Sequence, residues 1–547
     1  MRVALVKAPR EDEGLFSDNS ESLALGYLAA AARSIGHEVD LHNAALRRTP
    51  RDRLLDALLD DYDFIGFNLP DPTLVRPTIE LVDELRAAGV DCHIAVGGHT
   101  ATFHHRELLS ASSFDSVALY EAEDTICELL GIIDRGGDWK ATPGLALRNT
   151  SGHIVAVPRT TRAHLDDLRW PARDDLAYVL DHRPEDGAVP VLASRGCYFN
   201  CTFCSVRAFY EQDGRATWRR RSVGSVLDEI QDLIDRFAVS DILFVDDLFL
   251  SRSPATLKYA ESFAREVLRR AQSFTFTISA TVDGVRRETF ELLRESGLRQ
   301  VFLGAEAASD DILRSLNKWF RPADIAAAVR TLRDLGIDPS VSFINFTPTT
   351  RLEHLRQNLD FFSDLDANVL QGLFNRYQVY AGTPLYASLS ASGTVTGTFP
   401  HFGYVDSDSR VALAWHLCQR AFGALNELHY EVKRLERKSS RAYRPLSGPS
   451  PRSAGLAGSR EPRELLATLI RGLNRDVRDL FAQVLDFVER QPDGRDEDVE
   501  SFVRDLRREA RTTAGGWLKA LRLLEASHLA AGPLSSLEAI QDGPRAN

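Results

Sequence analysis

The 547-residue sequence lacks several features that mark other classes of protein. No apolar run approaches the roughly 18 residues that a transmembrane helix needs. Because Lys7 and Pro9 also interrupt the opening apolar residues, we expect neither a membrane span nor a signal peptide. Positive charge is not in excess, since 66 Lys and Arg face 78 Asp and Glu, for a net charge of −12; this disfavours nucleic acid as a partner. Six cysteines are too few for a disulfide framework, and a cytoplasmic location is expected.

The composition is that of a globular protein. Hydrophobic residues make up 44% of the chain and charged residues 26%, which excludes a mostly disordered chain and allows a sizeable core. The length suggests about three or four domains.

The first 130 residues alternate apolar runs typical of strands with helical patterns. Strands are predicted at Val3–Val6, Val39–Leu41, Phe64–Phe67 and Ile94–Val96, and helices at 23–35, 51–60 and 78–88. This alternation favours a doubly wound, Rossmann-like parallel sheet. Ligands of such sheets bind beyond the carboxyl ends of the strands, so the loops at 68–73, 97–102 and 121–124 form the predicted binding edge.

From residue 189 the alternation resumes with a longer period and predicts a partial (β/α)6 barrel, whose chemistry is expected at the carboxyl ends of its strands. Its six strands are predicted at Val189–Ala193, Ile242–Val245, Phe274–Ala280, Gln300–Leu303, Ser340–Phe346 and Val369–Tyr377. A flexible linker is predicted near 437–463, where Ser, Arg, Pro and Gly are frequent. The predicted domains are a Rossmann-like domain at 1–135, a linker with a hairpin at 136–188, the barrel at 189–400 and a helical extension at 401–547.

Three cysteines lie within eight residues, directly after the first barrel strand: Cys197, Cys201 and Cys204. A structural zinc site usually takes four protein ligands, and His182, beyond two prolines, is a poor fourth. A [4Fe-4S] cluster held by three thiolates keeps one iron open to a small molecule. This spacing, with Phe203 before the last cysteine, resembles the radical SAM enzymes.

Other segments extend the resemblance over about residues 1–390. They are Gly26–Ala30, Gly36–Val39, Val96–His99, Glu121–Asp124, Trp218–Ser222, Phe244–Phe249, Gly304–Glu306, Asn317–Lys318 and Gly382–Pro384. Together they resemble radical SAM proteins with an N-terminal cobalamin-binding domain. The implied fold class is α/β, with a doubly wound cobalamin-binding domain, a partial TIM-like barrel and a C-terminal α-helical region.

The resemblance implies three cofactors: a [4Fe-4S] cluster on the three cysteines, S-adenosylmethionine (SAM) and cobalamin. For SAM it places Asp246 and Asp247 near the methionine ammonium, Glu306 at the ribose hydroxyls and Arg221 at the carboxylate. Ser279 and Gln378 are further candidates for SAM.

For cobalamin the resemblance points to residues of the predicted binding edge. They are Asn68, Gly97, Gly98, His99, Thr100 and Glu121. The Asp-x-His-x-x-Gly motif that supplies a histidine to cobalt is missing after the first strand, so no histidine ligand on cobalt is expected. Ala122 replaces a glycine of the family's glutamate-containing turn.

The leading functional hypothesis is a cobalamin-dependent radical SAM methyltransferase acting on a carbon of a small metabolite or natural-product intermediate. In the family, one SAM methylates the corrinoid and a second yields a 5′-deoxyadenosyl radical. The implied electron donor is a protein such as flavodoxin or ferredoxin, and the oligomeric state is open.

Three alternatives remain. The first is a radical ring contraction, cyclisation or rearrangement without methyl transfer. The second is a radical SAM enzyme whose N-terminal domain no longer binds cobalamin, and the third is a non-catalytic cobalamin sensor. An RNA-modifying methylthiotransferase is disfavoured, because that relative binds a second cluster in its N-terminal domain, where this chain has only Cys92 and Cys127.

Overall fold

The structure is a computed structural model that describes residues 1–10, 20–182, 188–211, 217–365, 372–442, 461–491 and 496–529. These residues form two compact units. The first comprises Met1–Asp247 and Val379–Gly403, and the second comprises Leu248–Gln378 and Tyr404–Asn547. Within the described ranges, no helix combines the length and the apolar character needed to cross a membrane.

The first unit begins with a seven-stranded sheet. Its strands are β1 (Arg2–Lys7), β2 (Glu38–Asn43), β3 (Phe64–Asn68), β4 (His93–Gly97), β5 (Ser116–Ala118), β6 (Leu145–Arg148) and β7 (Ile154–Ala156). The order is 2-1-3-4-5-6-7; the first five strands are parallel, and β6 and β7 are antiparallel. The predicted doubly wound sheet is confirmed, and the predicted hairpin is the β6–β7 pair at its edge.

Seven helices accompany this sheet. They are α1 (Leu23–Ser34), α2 (Ala44–Arg47), α3 (Arg51–Leu58), α4 (Val75–Ala87), α5 (His99–Phe103), α6 (His105–Ala111) and α7 (Glu123–Asp134). The Ser22 hydroxyl accepts from the Leu25 N–H at 3.4 Å and so caps the start of α1. Leu25 of α1 and Ile126 of α7 share one buried cluster with Val3 and Leu5 of β1. Both helices therefore cover the same face of the sheet.

The described remainder of Met1–Asp247 carries short strands and three helices, of which the last is the longest. Its elements are α8 (Leu176–His182), β8 (Val189–Val191), β9 (Ser194–Gly196), α9 (Val206–Tyr210), β10 (Trp218–Arg220), α10 (Val223–Phe237) and β11 (Asp241–Phe244). Strand β8 pairs in parallel with β11, whereas β9 pairs antiparallel with β10. Helix α10 buries Val226, Ile230 and Leu233, as its apolar periodicity predicts.

The second unit contributes three parallel strands with helices between them. Its elements up to residue 364 are α11 (Pro254–Arg270), β12 (Thr275–Ala280), α12 (Arg287–Glu295), β13 (Leu298–Glu306), α13 (Asp310–Ser315), α14 (Pro322–Asp334), β14 (Asp338–Phe343) and α15 (Leu352–Asp364). Strand β13 lies between β12 and β14.

The sixth predicted strand, Val369–Tyr377, is wrong over Gly372–Phe374, which form a 3-10 turn. Residues 369–371 lie outside the described part of the chain. A single parallel bridge joins Phe346 to Arg376. The Asn345 side-chain amide donates to the Leu373 carbonyl at 2.9 Å. A side-chain hydrogen bond therefore joins this turn to the segment that follows β14.

A hairpin and five helices follow in the described part of the chain. They are α16 (Pro384–Ser392), β15 (Val395–Thr398), β16 (His401–Tyr404), α17 (Ser409–Ala421), α18 (Gly423–Ala442), α19 (Glu461–Arg490) and α20 (Asp496–Leu529). The predicted helical region is confirmed. The predicted flexible linker is wrong at 437–442 and 461–463, which belong to α18 and α19, and its residues 443–460 lie outside the described ranges. Phe481 of α19 packs against Phe346 and Phe374, with ring centroids 6.3 and 6.0 Å apart. The terminal helices thus pack on the segments that follow β14.

Candidate cofactor sites

The three clustered cysteines lie in the loop between β9 and α9. Gly196, just before them, has φ of +84°, and a Cβ there would lie 1.9 Å from the Thr217 carbonyl oxygen, so only glycine fits. The loop turns back on itself where the Cys204 N–H donates to the Cys201 carbonyl at 3.2 Å. Burial raises the pKa of the Cys197 thiol to about 12, and the neighbouring Cys204 and Cys201 add to the rise.

These features fit a metal cluster. Thiols that are buried beside one another stay protonated unless a metal binds them as thiolates. Among the residues that the structure describes, no three His, Cys, Asp or Glu side chains are grouped as ligands of a single metal ion. In a [4Fe-4S] cluster each thiolate binds a different iron, so cluster ligands do not have to meet at one point.

Two adjacent acids support the strand that leads into this loop. Asp246 accepts from the Ser194 hydroxyl at 2.6 Å and from the Ala193 N–H at 3.2 Å, and Asp247 accepts from the Gly196 N–H at 3.0 Å. Burial raises the pKa of Asp246 to about 7, although the bond from Ser194 opposes the rise. Both acids that were predicted to contact SAM therefore hold the strand that leads into the three-cysteine loop between β9 and α9 (the cluster loop).

Arg221, the predicted contact for the SAM carboxylate, is engaged by partners within the protein. Its guanidinium is buried, forms an ion pair with Glu229, and donates to the Leu192 carbonyl at 3.0 Å and the Ser225 carbonyl at 3.0 Å. Glu229 also pairs with Arg173 at 2.7 Å. Glu229 is a charged residue on the buried face of α10 and requires cationic partners. Arg221 is one of these partners, so its guanidinium is committed to this ion pair.

Glu306 ends β13 in the second unit, with φ of +72°, a left-handed conformation that costs energy for a residue other than glycine. Lys318 Nζ lies 3.2 Å from its Oε1, and the Ser342 hydroxyl donates to its Oε2 at 3.0 Å. Of the other two SAM candidates, Ser279 in β12 is half-buried and Gln378 is exposed. Glu306 thus combines a strained backbone with a buried carboxylate that has two polar partners.

We expect Glu306→Gln to lower the free energy of unfolding by about 3 kcal/mol, because the Lys318 ammonium would remain buried without a counter-charge. Urea denaturation of the full-length protein measures this loss. Glu353→Gln is the matched control: Glu353 pairs with Arg351 at 2.8 Å, but the two side chains are 60% and 55% exposed, so its loss should stay below about 1 kcal/mol. Equal losses in the two variants would contradict the buried pair.

A cavity of about 330 Å³ lies at the predicted binding edge, within the usual size range for small-molecule sites, about 300–1,000 Å³. Its lining residues come from β1, β3, β4, α1, α7 and the segment 192–210 around the cysteine loop (the cluster-loop segment). Among them are Leu5, Tyr27, Gly66, Asn68, Gly97, Gly98, His99, Glu121, Ile126 and Arg195. Five of the six predicted cobalamin residues line it. The sixth, Thr100, is buried and donates its N–H to the Leu69 carbonyl at 3.1 Å.

The floor of this cavity requires glycine. Gly98 has φ of +110°, and a Cβ there would lie 2.7 Å from the Leu69 carbonyl oxygen and 3.1 Å from the Asn68 side-chain nitrogen. A Cβ on Gly97 would approach the Ala118 side chain to 3.3 Å. Such a bare backbone lets a large cofactor lie close to the sheet edge, so these residues fit the nucleotide tail of cobalamin.

Two polar residues of the cavity are engaged by the cluster-loop segment. The His99 Nε2 lies 2.6 Å from the Ser205 hydroxyl, and burial lowers the pKa of His99 to about 4, so its imidazole is neutral at pH 7. Glu121 pairs with Arg195 at 2.7 Å and with Arg219. Burial alone would raise the pKa of Glu121, but the two guanidinium groups hold it below its usual value. The Glu121 carboxylate is thus engaged in ion pairs with two arginines, and the His99 imidazole is engaged with the Ser205 hydroxyl.

Sequence reasoning missed Tyr27 and Arg195. The Arg195 guanidinium is buried 4.9 Å above the Tyr27 ring and donates to Glu123 at 2.6 Å. Arg195 stands two residues before Cys197, so its place in the cysteine motif was the available signal. Tyr27 lies in Gly26–Ala30, one of the segments that carry the family resemblance, but its partner Arg195 is distant in the sequence.

Two protein-family models match the chain, one over the N-terminal sheet domain and one over the region that begins just before the cysteine loop. The radical SAM superfamily model matches residues 191–362, and the B12 binding domain model matches residues 17–130.

Among curated proteins, the chain is 27% identical over 405 residues to an uncharacterized methyltransferase of Pyrococcus horikoshii, covering 71% of this chain and 82% of that protein. It is 27% identical to the hopanoid C-3 methylase of Methylococcus capsulatus, with 59% and 61% coverage. It is 26% identical to an anaerobic magnesium-protoporphyrin IX monomethyl ester cyclase of Rubrivivax gelatinosus, with 55% coverage of each chain. The chain thus spans less than two thirds of the latter two proteins.

Solved structures share the fold. The cobalamin-dependent SAM radical enzyme OxsB, with aqua-cobalamin and SAM bound, has a TM-score of 0.72 at 16% identity, covering 99% of this chain and 83% of that chain. TsrM, a radical SAM methyltransferase from Kitasatospora setae with cobalamin and a [4Fe-4S] cluster bound, has a TM-score of 0.60 at 18% identity, with 89% and 99% coverage. The fold and the two sites define a radical SAM enzyme with an N-terminal cobalamin-binding domain. The chain belongs to this family, and its cofactors are a [4Fe-4S] cluster, SAM and cobalamin.

Proposed function

We propose that this enzyme is a C-methyltransferase that acts on a carbon of a small metabolite or natural-product intermediate. The observation that carries the proposal is the placement of the cavity with its glycine floor and of the three-cysteine loop in one compact unit, with Arg195 reaching from β9 into the cavity wall. A corrinoid supplies a methyl carrier and the cluster with SAM supplies a radical, so a chain that holds both can activate a carbon and transfer a methyl group to it. The relatives named as methylases support this choice.

In the proposed reaction the chain's residues orient groups and exclude water. Cys197, Cys201 and Cys204 would hold the cluster and leave one iron for SAM. Gly97 and Gly98 would let the cobalamin tail lie against the backbone, beside Asn68. These assignments rest on the cysteine motif and on the glycine floor.

Glu306 is our proposed contact for the ribose hydroxyls of SAM. Its carboxylate is buried at the end of β13, and its backbone is in the left-handed conformation. Backbone strain of this kind is common at functional sites. Asp247 remains a weaker proposal for the methionine ammonium, because one of its oxygens already accepts from Gly196.

Radical cyclisation or rearrangement without methyl transfer is the second candidate. It is favoured by a relative at 26% identity that is named a cyclase and by one at 22% identity named 4'-phospho-dehydrooxetanocin synthase, from Priestia megaterium. Both candidates use the same cofactors, so the products distinguish them.

We expect anaerobic turnover with SAM, cobalamin, a reductant and a substrate to release both S-adenosylhomocysteine and 5′-deoxyadenosine. The first nucleoside records transfer of a methyl group, and the second records hydrogen abstraction. Liquid chromatography with mass spectrometry quantifies both against a control without substrate. Release of 5′-deoxyadenosine alone would contradict methyl transfer and favour the second candidate.

A further inference from the structure

The cluster loop is held at both ends by residues of the cobalamin-binding edge. Arg195 lies two residues before Cys197, and Ser205 lies one residue after Cys204. Each makes a polar contact to a residue that lines the cobalamin cavity, and both contacts lie within the first unit. The eight residues from Cys197 to Cys204 therefore lie between two residues that are tied to the cavity.

The first tie is an ionic cluster around Glu121 and Glu123. Arg195 donates to Glu121 at 2.7 Å and to Glu123 at 2.6 Å through its two terminal nitrogens. Arg219, its partner across the β9–β10 pair, also binds Glu121, and Arg162 lies 3.9 Å from the same carboxylate. The side chains of Arg195, Glu121 and Glu123 are only 9%, 11% and 12% exposed, so solvent and salt weaken this cluster little.

The second tie joins Ser205 to His99, the residue that follows the Gly97–Gly98 floor. In addition to the 2.6 Å contact between Nε2 and the hydroxyl, the His99 ring stacks on Phe209 of α9 with centroids 4.7 Å apart. Tyr120 packs edge-on against the same Phe209, at 5.7 Å. Helix α9 therefore packs on the loops that follow β4 and β5.

We propose that these two ties couple the cofactor sites, so that occupancy of the cobalamin cavity orders the cluster loop and assembly of the cluster tightens cobalamin binding. A cofactor that orders the 120–123 turn and the 98–100 loop also fixes residues 195 and 205, and the loop between them then loses less conformational entropy when the cluster forms. Such coupling is reciprocal between the two binding free energies. Arg195, Glu123 and Ser205 are positioning residues in this account. The proposal rests on the two cofactors and is independent of the reaction's product.

The test compares the dissociation constant of hydroxocobalamin for full-length protein without its cluster and for the same protein after anaerobic reconstitution. Quenching of tryptophan fluorescence gives both values. For the wild type we expect cluster assembly to tighten binding on the order of tenfold, within the usual range for coupled sites. Glu123→Gln and Ser205→Ala should each lower that ratio, and the double variant should lower it further, because only the Arg195–Glu121 pair then ties the loop to the cavity.

The ratio is a readout that a purely structural defect does not move, because a change in cobalamin affinity common to both forms cancels. Glu128→Gln is the matched control on the same helix: Glu128 pairs with Arg159 at 3.0 Å, away from the loop, and its ratio should equal that of the wild type. Ser205→Ala removes one hydroxyl and keeps the test valid if Glu123→Gln fails to fold. A wild-type ratio of one, or an unchanged ratio in Ser205→Ala, would overturn the proposal. No turnover is measured, so failure of methyl transfer would leave this result intact.

Discussion

Cys201→Ala is expected to abolish reductive cleavage of SAM. Cys201 is the buried member of the three loop cysteines, and its carbonyl accepts the Cys204 N–H that turns the loop back. A cluster with one thiolate fewer leaves two irons without protein ligands, so the cluster should not survive purification. We expect iron to fall from about four per chain to below about one, and 5′-deoxyadenosine to fall to the level seen without enzyme.

Cys92→Ala is the matched control for this variant. Cys92 lies outside the loop, and burial raises the pKa of its thiol to about 11, so it is an unreactive thiol. Its replacement should leave iron content and SAM cleavage unchanged. Cleavage of SAM by the Cys201 variant at the wild-type rate would refute the cluster assignment.

Gly98→Ala is expected to lower the affinity for cobalamin by on the order of 100-fold, which corresponds to about 3 kcal/mol. A side chain at φ of +110° is strained by about 1–3 kcal/mol, and its Cβ would meet the Leu69 carbonyl oxygen at 2.7 Å. That carbonyl accepts the Thr100 N–H at 3.1 Å, so the clash displaces the start of α5 and the cavity floor together. Titration with hydroxocobalamin measures the loss.

Gly89→Ala separates strain from the cofactor site. Gly89 has φ of +92° in the same sheet domain, but nothing lies within 4 Å of a Cβ there. It should reduce stability by a similar strain energy and leave cobalamin affinity within about twofold of the wild type. Wild-type affinity in the Gly98 variant would contradict the placement of the cofactor against this floor.

Much of the fold is predictable because its signals are local. Strands such as β1 and β4 are short apolar runs bounded by turn residues, and the face of α10 follows from a 3.6-residue period. The error at Gly372–Phe374 has the opposite origin. An apolar segment is compatible with several backbone forms, and one contact that holds this turn, from the Asn345 amide to the Leu373 carbonyl, comes from 28 residues away in the sequence.

The same difference between local and long-range signals applies to the cofactor sites. The cysteine loop and the Gly97–Gly98 floor were predictable, because a few neighbouring residues carry each motif. The partners of Arg221 and Glu121 were not. Arg195 meets Glu121 across 74 residues of sequence, and a run of arginines does not indicate which of them is buried. Long-range ion pairs therefore remain beyond what spacing predicts.

The most direct test of this account measures cobalt and iron in the same purified protein. Full-length protein reconstituted anaerobically with iron, sulfide and hydroxocobalamin, and then freed of unbound cofactor, should contain about one cobalt and about four iron per chain. Its absorption spectrum should show corrinoid and cluster bands together. Iron near four with no bound cobalt would contradict the central claim that one chain holds both cofactors, and would leave a radical SAM enzyme that does not use cobalamin.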